Sequence, residues 1–103
     1  MKPTRLQLSC LLSICLSTSP AFADLALARS KNCLSCHAVE RKIVGPAYKD
    51  VAAKYRGNKS AAARLANKIM LGGGGVWGVV KMPSNPQISE AEARQLADWV
   101  LSQ

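Results

Sequence analysis

Two thiols and one imidazole lie close together in the run Cys33-Leu34-Ser35-Cys36-His37. The spacing C-x-x-C-H is typical of c-type haem attachment, in which each thiol bonds to one vinyl-derived carbon of the porphyrin. Two intervening residues in a helical turn place both sulfurs near one porphyrin edge, and the adjacent imidazole then lies under the ring with a nitrogen directed at the iron. The run therefore predicts Cys33 and Cys36 as attachment sites and His37 as an axial ligand of the iron.

Three other interpretations of this run are weaker. A thioredoxin-like redox pair also uses C-x-x-C, but that motif normally belongs to a βαβ pattern, and no strand alternation surrounds it here. A zinc site needs four ligands, whereas outside the N-terminal leader the chain offers only Cys33, Cys36 and His37 as nitrogen or sulfur donors. Chance occurrence of the run in a basic globular domain is the third alternative.

The N-terminus is typical of a secretory signal peptide. Lys2 and Arg5 form a positive start, residues 6–16 an apolar centre, and Ala21-Phe22-Ala23 an A-x-A cleavage site. The apolar centre is shorter than the roughly 20 residues of a membrane-spanning helix, so an uncleaved anchor is the weaker interpretation. We expect a leader over 1–23, cleaved after Ala23, and one domain over 24–103.

Lipid attachment to Cys15 is an alternative to simple cleavage, because a lipid can be attached to a cysteine that ends a leader. Ile14, however, stands where a small residue is usual before such a cysteine. Cys10 and Cys15 would both leave with a cleaved leader. The mature chain would then have no cysteines except the two of the C-x-x-C-H run, and no disulfide framework.

The mature chain would be small and basic. Its 80 residues form a marginal core on apolar burial alone, and a covalently held haem would supply a large apolar surface for short helices to pack against. Without Lys2 and Arg5, twelve basic residues face six acidic ones, a net charge of +6. This excess either keeps the surface solvated or attracts an acidic partner. Nucleic-acid binding is not expected, because no basic run is interleaved with aromatic residues.

Apolar spacing predicts an all-α domain of four to five helices with long loops. The first helix runs over 24–32 into the haem motif, and the break signal Gly45-Pro46 precedes the second. The second helix, 46–56, ends at Gly57. The third begins at an N-cap on Ser60 and ends at Gly72. The last runs from Ser89, which forms a capping box with Glu92, to Leu101, with Trp99 expected to pack on the first helix.

A second stretch of chemical interest follows the third helix. The glycine tetrad 72–75 lacks the Lys-Ser/Thr of a phosphate-binding loop and is interpreted as backbone that passes close to a flat ligand. Met82 lies in a proline-flanked loop where packing does not normally use methionine, whereas Met70 sits on an alanine-rich helix where it belongs to the core. We therefore prefer Met82 as the second axial ligand. A second histidine is excluded, because His37 is the only one in the chain.

With both motifs placed, the chain resembles class I cytochrome c, of the short bacterial single-haem type known as cytochrome c five-fifty-one or c eight. The resemblance extends from the first helix through Cys33-x-x-Cys36-His37, residues 45–52, residues 75–78 and Met82-Pro83 to residues 99–101. It implies helices wrapped around one haem with His37 and Met82 as axial ligands. It also implies a Pro46 carbonyl on the His37 ring, Trp77 near a haem propionate and Asn85 near the Met82 sulfur.

The chain departs from this family's pattern at four positions. Val79 and Lys81 replace prolines on the approach to the methionine, which implies a less rigid ligand loop. Ala28 stands where an aromatic residue usually packs, with an expected effect on stability. Lys68 stands where an arginine often reaches a propionate, so it is a possible propionate contact.

The resemblance implies a periplasmic one-electron carrier rather than an enzyme, a monomer without stable membrane insertion. In the family such carriers pass electrons to nitrite reductase or a terminal oxidase. Lysines that could form a basic docking rim at the haem edge are Lys31, Lys42, Lys49 and Lys81. The alternative function is a haem sensor or small-ligand binder with a loosely held Met82, and the sixth ligand distinguishes the two.

Overall fold

Helices form all the regular structure of the residues that the computed structural model describes, which are 2–3, 13–15 and 20–103. The elements are α1 (Pro20–Ser30), a 3-10 turn (Cys33–Ser35), α2 (Tyr48–Lys54), α3 (Ala61–Leu71) and α4 (Glu90–Leu101). Within these ranges the only β-type pairing is two isolated bridges, His37 with Lys42 and Gly73 with Met82. The prediction of an all-α fold is confirmed.

Helix α4 is the centre of the packing, because it contacts α1, α2 and α3. The apolar face of α4 is buried at four positions, Ala93, Leu96, Ala97 and Val100. Its start is fixed by the predicted capping box, in which Glu92 N donates to Ser89 Oγ and Ser89 N donates to Glu92 Oε1, each at 3.1 Å. Burial of this face and the satisfied N-terminal donors together explain why the segment is helical.

Helix α1 and Lys31, the residue that follows it, are tied to α4 by two polar contacts besides the apolar face of α1. The side-chain amide of Gln95 donates to Asp24 Oδ1 at 2.7 Å, and Lys31 Nζ lies 3.4 Å from Glu92 Oε2. Ala28 is fully buried at this interface, and Leu25 and Leu27 pack against the same core cluster. Ala28, where we expect an effect on stability, is therefore enclosed by neighbouring apolar side chains.

Two helix boundaries predicted from the sequence are wrong. Helix α1 begins at Pro20 and ends at Ser30, so it does not run into the haem motif. Helix α2 is shorter than the predicted 46–56 at both ends. At its start, Tyr48 N and Lys49 N donate to the carbonyls of Ala38 and Val39, so the chain entering α2 is tied to the preceding loop.

The third helix begins after Ser60 as predicted, but the expected side-chain cap is wrong. The Ser60 hydroxyl donates to Asn58 Oδ1 at 2.8 Å and makes no hydrogen bond to the helix N-terminus. At the other end Gly72 terminates α3 as predicted, with φ of 70° and its N–H donating to Lys68 O. This positive φ favours glycine because it lacks a Cβ.

The predicted leader falls mostly on residues outside the described ranges. Of its described residues, Cys15 is exposed and residues 20–23 form the first turn of α1. Across 2–3, 13–15 and 20–103, no helix has the length and apolar character needed to cross a bilayer. Cleavage after Ala23 and the domain bounds 24–103 remain predictions.

Candidate haem-binding site

A cavity of about 610 Å³ opens between the 3-10 turn, α2, α3 and the loop that precedes α4. Its volume lies within the range of roughly 300–1,000 Å³ that small-molecule and cofactor sites occupy. It brings together seven of the eight residues predicted for the site, which are Cys33, Cys36, His37, Pro46, Lys68, Trp77 and Met82. The eighth, Asn85, does not line the cavity.

The 3-10 turn places both thiols on the cavity wall. Asn32 enters the turn with φ of 62°, and the turn is closed when Cys36 N and His37 N both donate to Cys33 O, at 3.2 and 3.0 Å. Both cysteines are free and half-buried. Burial raises the pKa of the Cys33 thiol above its usual value, and the neighbouring Cys36 raises it further. The closed turn therefore holds both cysteines at the cavity wall.

The His37 ring is held in one orientation by the segment that follows it. Its Nδ1 lies 2.8 Å from the Pro46 carbonyl oxygen. A carbonyl oxygen only accepts, so Nδ1 carries the proton and Nε2 keeps its lone pair for a metal. The hydrogen bond that the resemblance implied is thus present. Metal-binding histidines usually donate one ring N–H to such a backbone partner and bind the metal through the other ring nitrogen.

Gly45 allows this orientation, because a Cβ at Gly45 would overlap the His37 ring, lying only 2.8 Å from both ring nitrogens. Gly45 N and Val44 N both donate to Cys36 O, at 2.7 and 3.1 Å, so the backbone that lies against the imidazole is anchored to the motif itself. From the sequence, Gly45 is recognisable only as a break signal before the second helix. Its contact with His37, eight residues earlier in the chain, is not indicated by any local sequence pattern.

The cavity wall contributed by residues 72–83 carries Met82. Met82 is half-buried, and its backbone pairs with Gly73 through two hydrogen bonds of 2.9 Å. Met70 packs against the core cluster instead, as predicted. Of Met70 and Met82, only Met82 lines the cavity that also holds the C-x-x-C-H run.

Trp77 and Lys68, for which the resemblance suggests propionate contacts, both line the cavity. Trp77 is exposed, and the ammonium of Lys54 lies over its ring at 5.6 Å from the centroid. Asn85 has another role in the structure: its side-chain amide donates to Ile69 O at 2.8 Å, and its backbone N–H donates to Met70 O. Asn85 therefore fastens the ligand loop to the C-terminal turn of α3.

The residues that line the cavity fit a haem. They do not fit a zinc site or a thioredoxin-like redox pair. Among the described residues, no group of three or more His, Cys, Asp and Glu side chains is placed to hold a metal ion directly, so a zinc site lacks its ligand set. A thioredoxin-like pair lacks the strands that would flank it, since helices make up the elements of the described chain. Two free thiols, an imidazole nitrogen and a thioether facing one apolar-lined cavity match covalent haem attachment with two axial ligands.

Helices around such a cavity, with C-x-x-C-H on its wall, define a small c-type haem protein. Comparison with known proteins agrees: residues 25–103 match the cytochrome c family, and the chain belongs to that family, as a class I c-type cytochrome of the c-551 kind. It is 50% identical to cytochrome c-551 of Pseudomonas aeruginosa, over 100% of this chain and 99% of that one. It is 56% identical to cytochrome c-552 of Hydrogenobacter thermophilus, over 79% and 82% of the two chains.

The solved structures show the same relationship. The crystal structure of wild-type Nitrosomonas europaea cytochrome c552 superposes with a TM-score of 0.74 at 52% identity, covering 76% of this chain and 96% of that one. Membership of the family implies one covalently attached haem c with its iron. The protein is accordingly a small haem electron carrier and not an enzyme.

Proposed function

We propose that this protein is a periplasmic one-electron carrier whose single haem is bonded to Cys33 and Cys36 and ligated by His37 and Met82. The observation that carries the proposal is the convergence of these four side chains, from two separate segments, on one cavity. The mature chain would begin at Asp24, after removal of the leader in the sequence. Such carriers serve a respiratory or denitrification partner, for example nitrite reductase or a terminal oxidase.

The axial ligands explain why the protein would carry electrons rather than bind a substrate. The haem supplies a one-electron Fe(II)/Fe(III) couple, and ligation by methionine and histidine raises its potential relative to other ligand pairs. The Pro46 carbonyl holds His37 Nδ1 protonated, and the bridge to Gly73 holds the Met82 backbone in place. With both residues on the metal, no position remains open for a small molecule.

Part of the basic rim proposed from the sequence lies at the cavity. Lys42 and Lys81 line it and are exposed, whereas Lys49 is paired with Glu40 at 2.8 Å and Lys31 with Glu92 at 3.4 Å. We propose Lys42 and Lys81 as the charged part of the docking surface. Exposed apolar side chains surround the same opening, namely Val44, Val76, Trp77, Val79 and Val80. An acidic redox partner with an apolar contact centre fits this surface.

The proposed ligation is tested by spectra and potentials of the purified holoprotein. Wild type should show covalently bound haem in the reduced spectrum and, when ferric, the weak near-infrared-edge band of an iron–sulfur bond. Met82→Ala should abolish that band, lower the potential and admit imidazole or cyanide. Met70→Leu is the matched control and should change none of these, because the volume of a packed side chain is conserved.

The opposite result identifies the other candidates. A sulfur band that survives in Met82→Ala and disappears in Met70→Leu would assign the ligand to α3. A wild-type protein that binds imidazole as readily as Met82→Ala does would favour a haem sensor or small-ligand binder. A reduced spectrum without covalently bound haem would exclude the carrier function altogether.

A further inference from the structure

The backbone of Met82 is attached to the end of α3 by an isolated two-way bridge. Gly73 N donates to Met82 O and Met82 N donates to Gly73 O, both at 2.9 Å. No strand continues the pairing on either side. The two bonds therefore act locally, fixing one residue of the loop relative to the C-terminus of α3.

The residue before the bridge makes this close approach possible. Gly72 has φ of 70°, and a Cβ built on it would lie 2.5 Å from Met82 O, 2.8 Å from Pro83 C and 2.8 Å from Ser84 N. All three are backbone atoms, which cannot rotate away as the end of a flexible side chain can. Any side chain at position 72 would therefore push residues 82–84 away from α3.

Other glycines of the chain share the positive φ but not the contact. Gly57 has φ of 78° and Gly75 has φ of 94°, and a Cβ at either would have no atom within 4 Å. Neither of them lines the cavity. The chain thus contains positions where an alanine would strain the backbone equally but would leave the methionine segment untouched.

We propose that Gly72 is a positioning residue for Met82: by leaving room for the backbone of 82–84 against α3, it sets how firmly the thioether is held at the iron. This inference rests on the proposed ligation by Met82. An alanine at position 72 would open the Gly73–Met82 bridge or shift it, and the sulfur would move with the backbone that carries it.

The test compares ferric holoproteins of wild type, Gly72→Ala and Gly57→Ala. In Gly72→Ala the iron–sulfur band should weaken, the potential should fall, and the dissociation constant for imidazole should decrease by about tenfold or more, which corresponds to about 1.4 kcal/mol of lost ligation. Gly57→Ala should keep the band and bind imidazole within about twofold of wild type, because distant sites act independently.

Two results would overturn the proposal. One is wild-type imidazole affinity in Gly72→Ala, and the other is an equal change in Gly57→Ala, which would show general destabilisation. The wild-type spectrum separates this failure from that of the proposed function. If wild type itself lacks the sulfur band, Met82 is not the ligand.

If Gly72→Ala does not accumulate, amide hydrogen exchange in the wild-type holoprotein tests the role of Gly72 instead. When imidazole displaces Met82, the amides of Gly73 and Met82 should exchange faster, while the amide of Ala66 inside α3 should not change. Unchanged protection of Gly73 and Met82 under saturating imidazole would show that the bridge is independent of ligation and would refute the role of Gly72.

Discussion

The imidazole of His37 and the phenol ring of Tyr48 lie stacked, with their centroids 5.0 Å apart and their planes inclined by 17°. Trp99 in turn contacts Tyr48 edge-on at 5.3 Å and 72°. The hydrogen bond to Pro46 sets the rotation of the imidazole, and the stack sets its plane. The proposed iron ligand is thus coupled through Tyr48 to the core of α4.

Replacement of Tyr48 should affect both stability and the haem. Tyr48→Leu removes two aromatic contacts, each worth about 0.5–1.5 kcal/mol beyond its buried area, and should lower the free energy of unfolding by at least about 1–3 kcal/mol. Tyr48→Phe keeps both rings and should lose less. Denaturant unfolding and the midpoint potential measure the two effects. Equal losses in the two variants would mean that the hydroxyl, and not the stacking, is responsible.

Gly45→Ala should displace the His37 ring. The added Cβ overlaps the imidazole, so the ring must turn and its bond to the Pro46 carbonyl must lengthen or break. We expect a lower yield of holoprotein and a changed potential. Gly57→Ala, with no neighbouring atom within 4 Å, is the control. A wild-type spectrum and potential in Gly45→Ala would contradict the role assigned to the backbone at position 45.

Cys33→Ser and Cys36→Ser should each prevent normal maturation. Each thiol is expected to anchor one side of the haem, and without the haem a cavity of about 610 Å³ would remain open beside a small core. Each variant should accumulate poorly and lack helical signal in circular dichroism. Purification of either variant as a stable helical apoprotein would show that the fold does not depend on the haem. Ser35→Ala, between the two thiols and exposed, is the matched control.

The free energy of unfolding should fall in acid, because the Glu92 carboxylate at the N-terminus of α4 is then protonated. Accepting the Ser89 N–H holds the pKa of the Glu92 carboxyl below its usual value, and Lys31 lowers it further. Because the folded pKa is lower than the unfolded one, this carboxylate stabilises the fold above about pH 4.3, its unfolded pKa, and the contribution is lost as pH falls through the folded pKa.

Glu92→Gln isolates this effect, because glutamine also completes a capping box but does not titrate. Urea unfolding in steps from neutral pH to about pH 3 should show a shallower acid decline for Glu92→Gln than for wild type. Glu90→Gln, in the same first turn, serves as the control. An identical decline in wild type and Glu92→Gln would assign acid sensitivity to other carboxyl groups.

Electron transfer to an acidic partner should slow as salt is raised. Charges on the docking surface are screened over a Debye length of about 8 Å at physiological ionic strength. Lys42→Gln or Lys81→Gln should reduce the salt dependence of the bimolecular rate more than Lys49→Gln, because Lys49 is already paired with Glu40. A rate independent of salt in the wild-type protein would mean that the basic excess does not steer docking.

Local sequence patterns were sufficient for much of the molecule. The capping box at Ser89, the buried face of α4, the end of α3 at Gly72 and the core position of Met70 each depend on residues close together in the chain. The cavity also contains the thiols, His37 and Met82 as predicted. Motif spacing determines the local geometry of the thiols and imidazole, and the choice of Met82 over Met70 remains a prediction.

The features that were missed depend on contacts between distant segments. Tyr48 falls within the predicted second helix, and nothing near it in the sequence indicates that its ring stacks on His37. The predicted start of α2 at residue 46 was wrong. Tyr48 N and Lys49 N donate hydrogen bonds to a preceding loop, and these bonds replace the first turn of the predicted helix. The close approach of Gly72 to Met82 likewise requires the loop to fold back on α3. Such contacts follow from the assembled fold and not from any local periodicity.

The central position of α4 affects the order in which the other helices can pack. In the described part of the chain, α1, α2 and α3 each pack on α4 and not on one another, so none of them has a helical partner until residues 90–101 are present. If the chain is exported from its N-terminus, as we propose, Cys33 and Cys36 emerge before residues 90–101. We therefore expect both thiols to be accessible to haem attachment before α4 is present, and the packing of α4 to complete the fold around the attached haem.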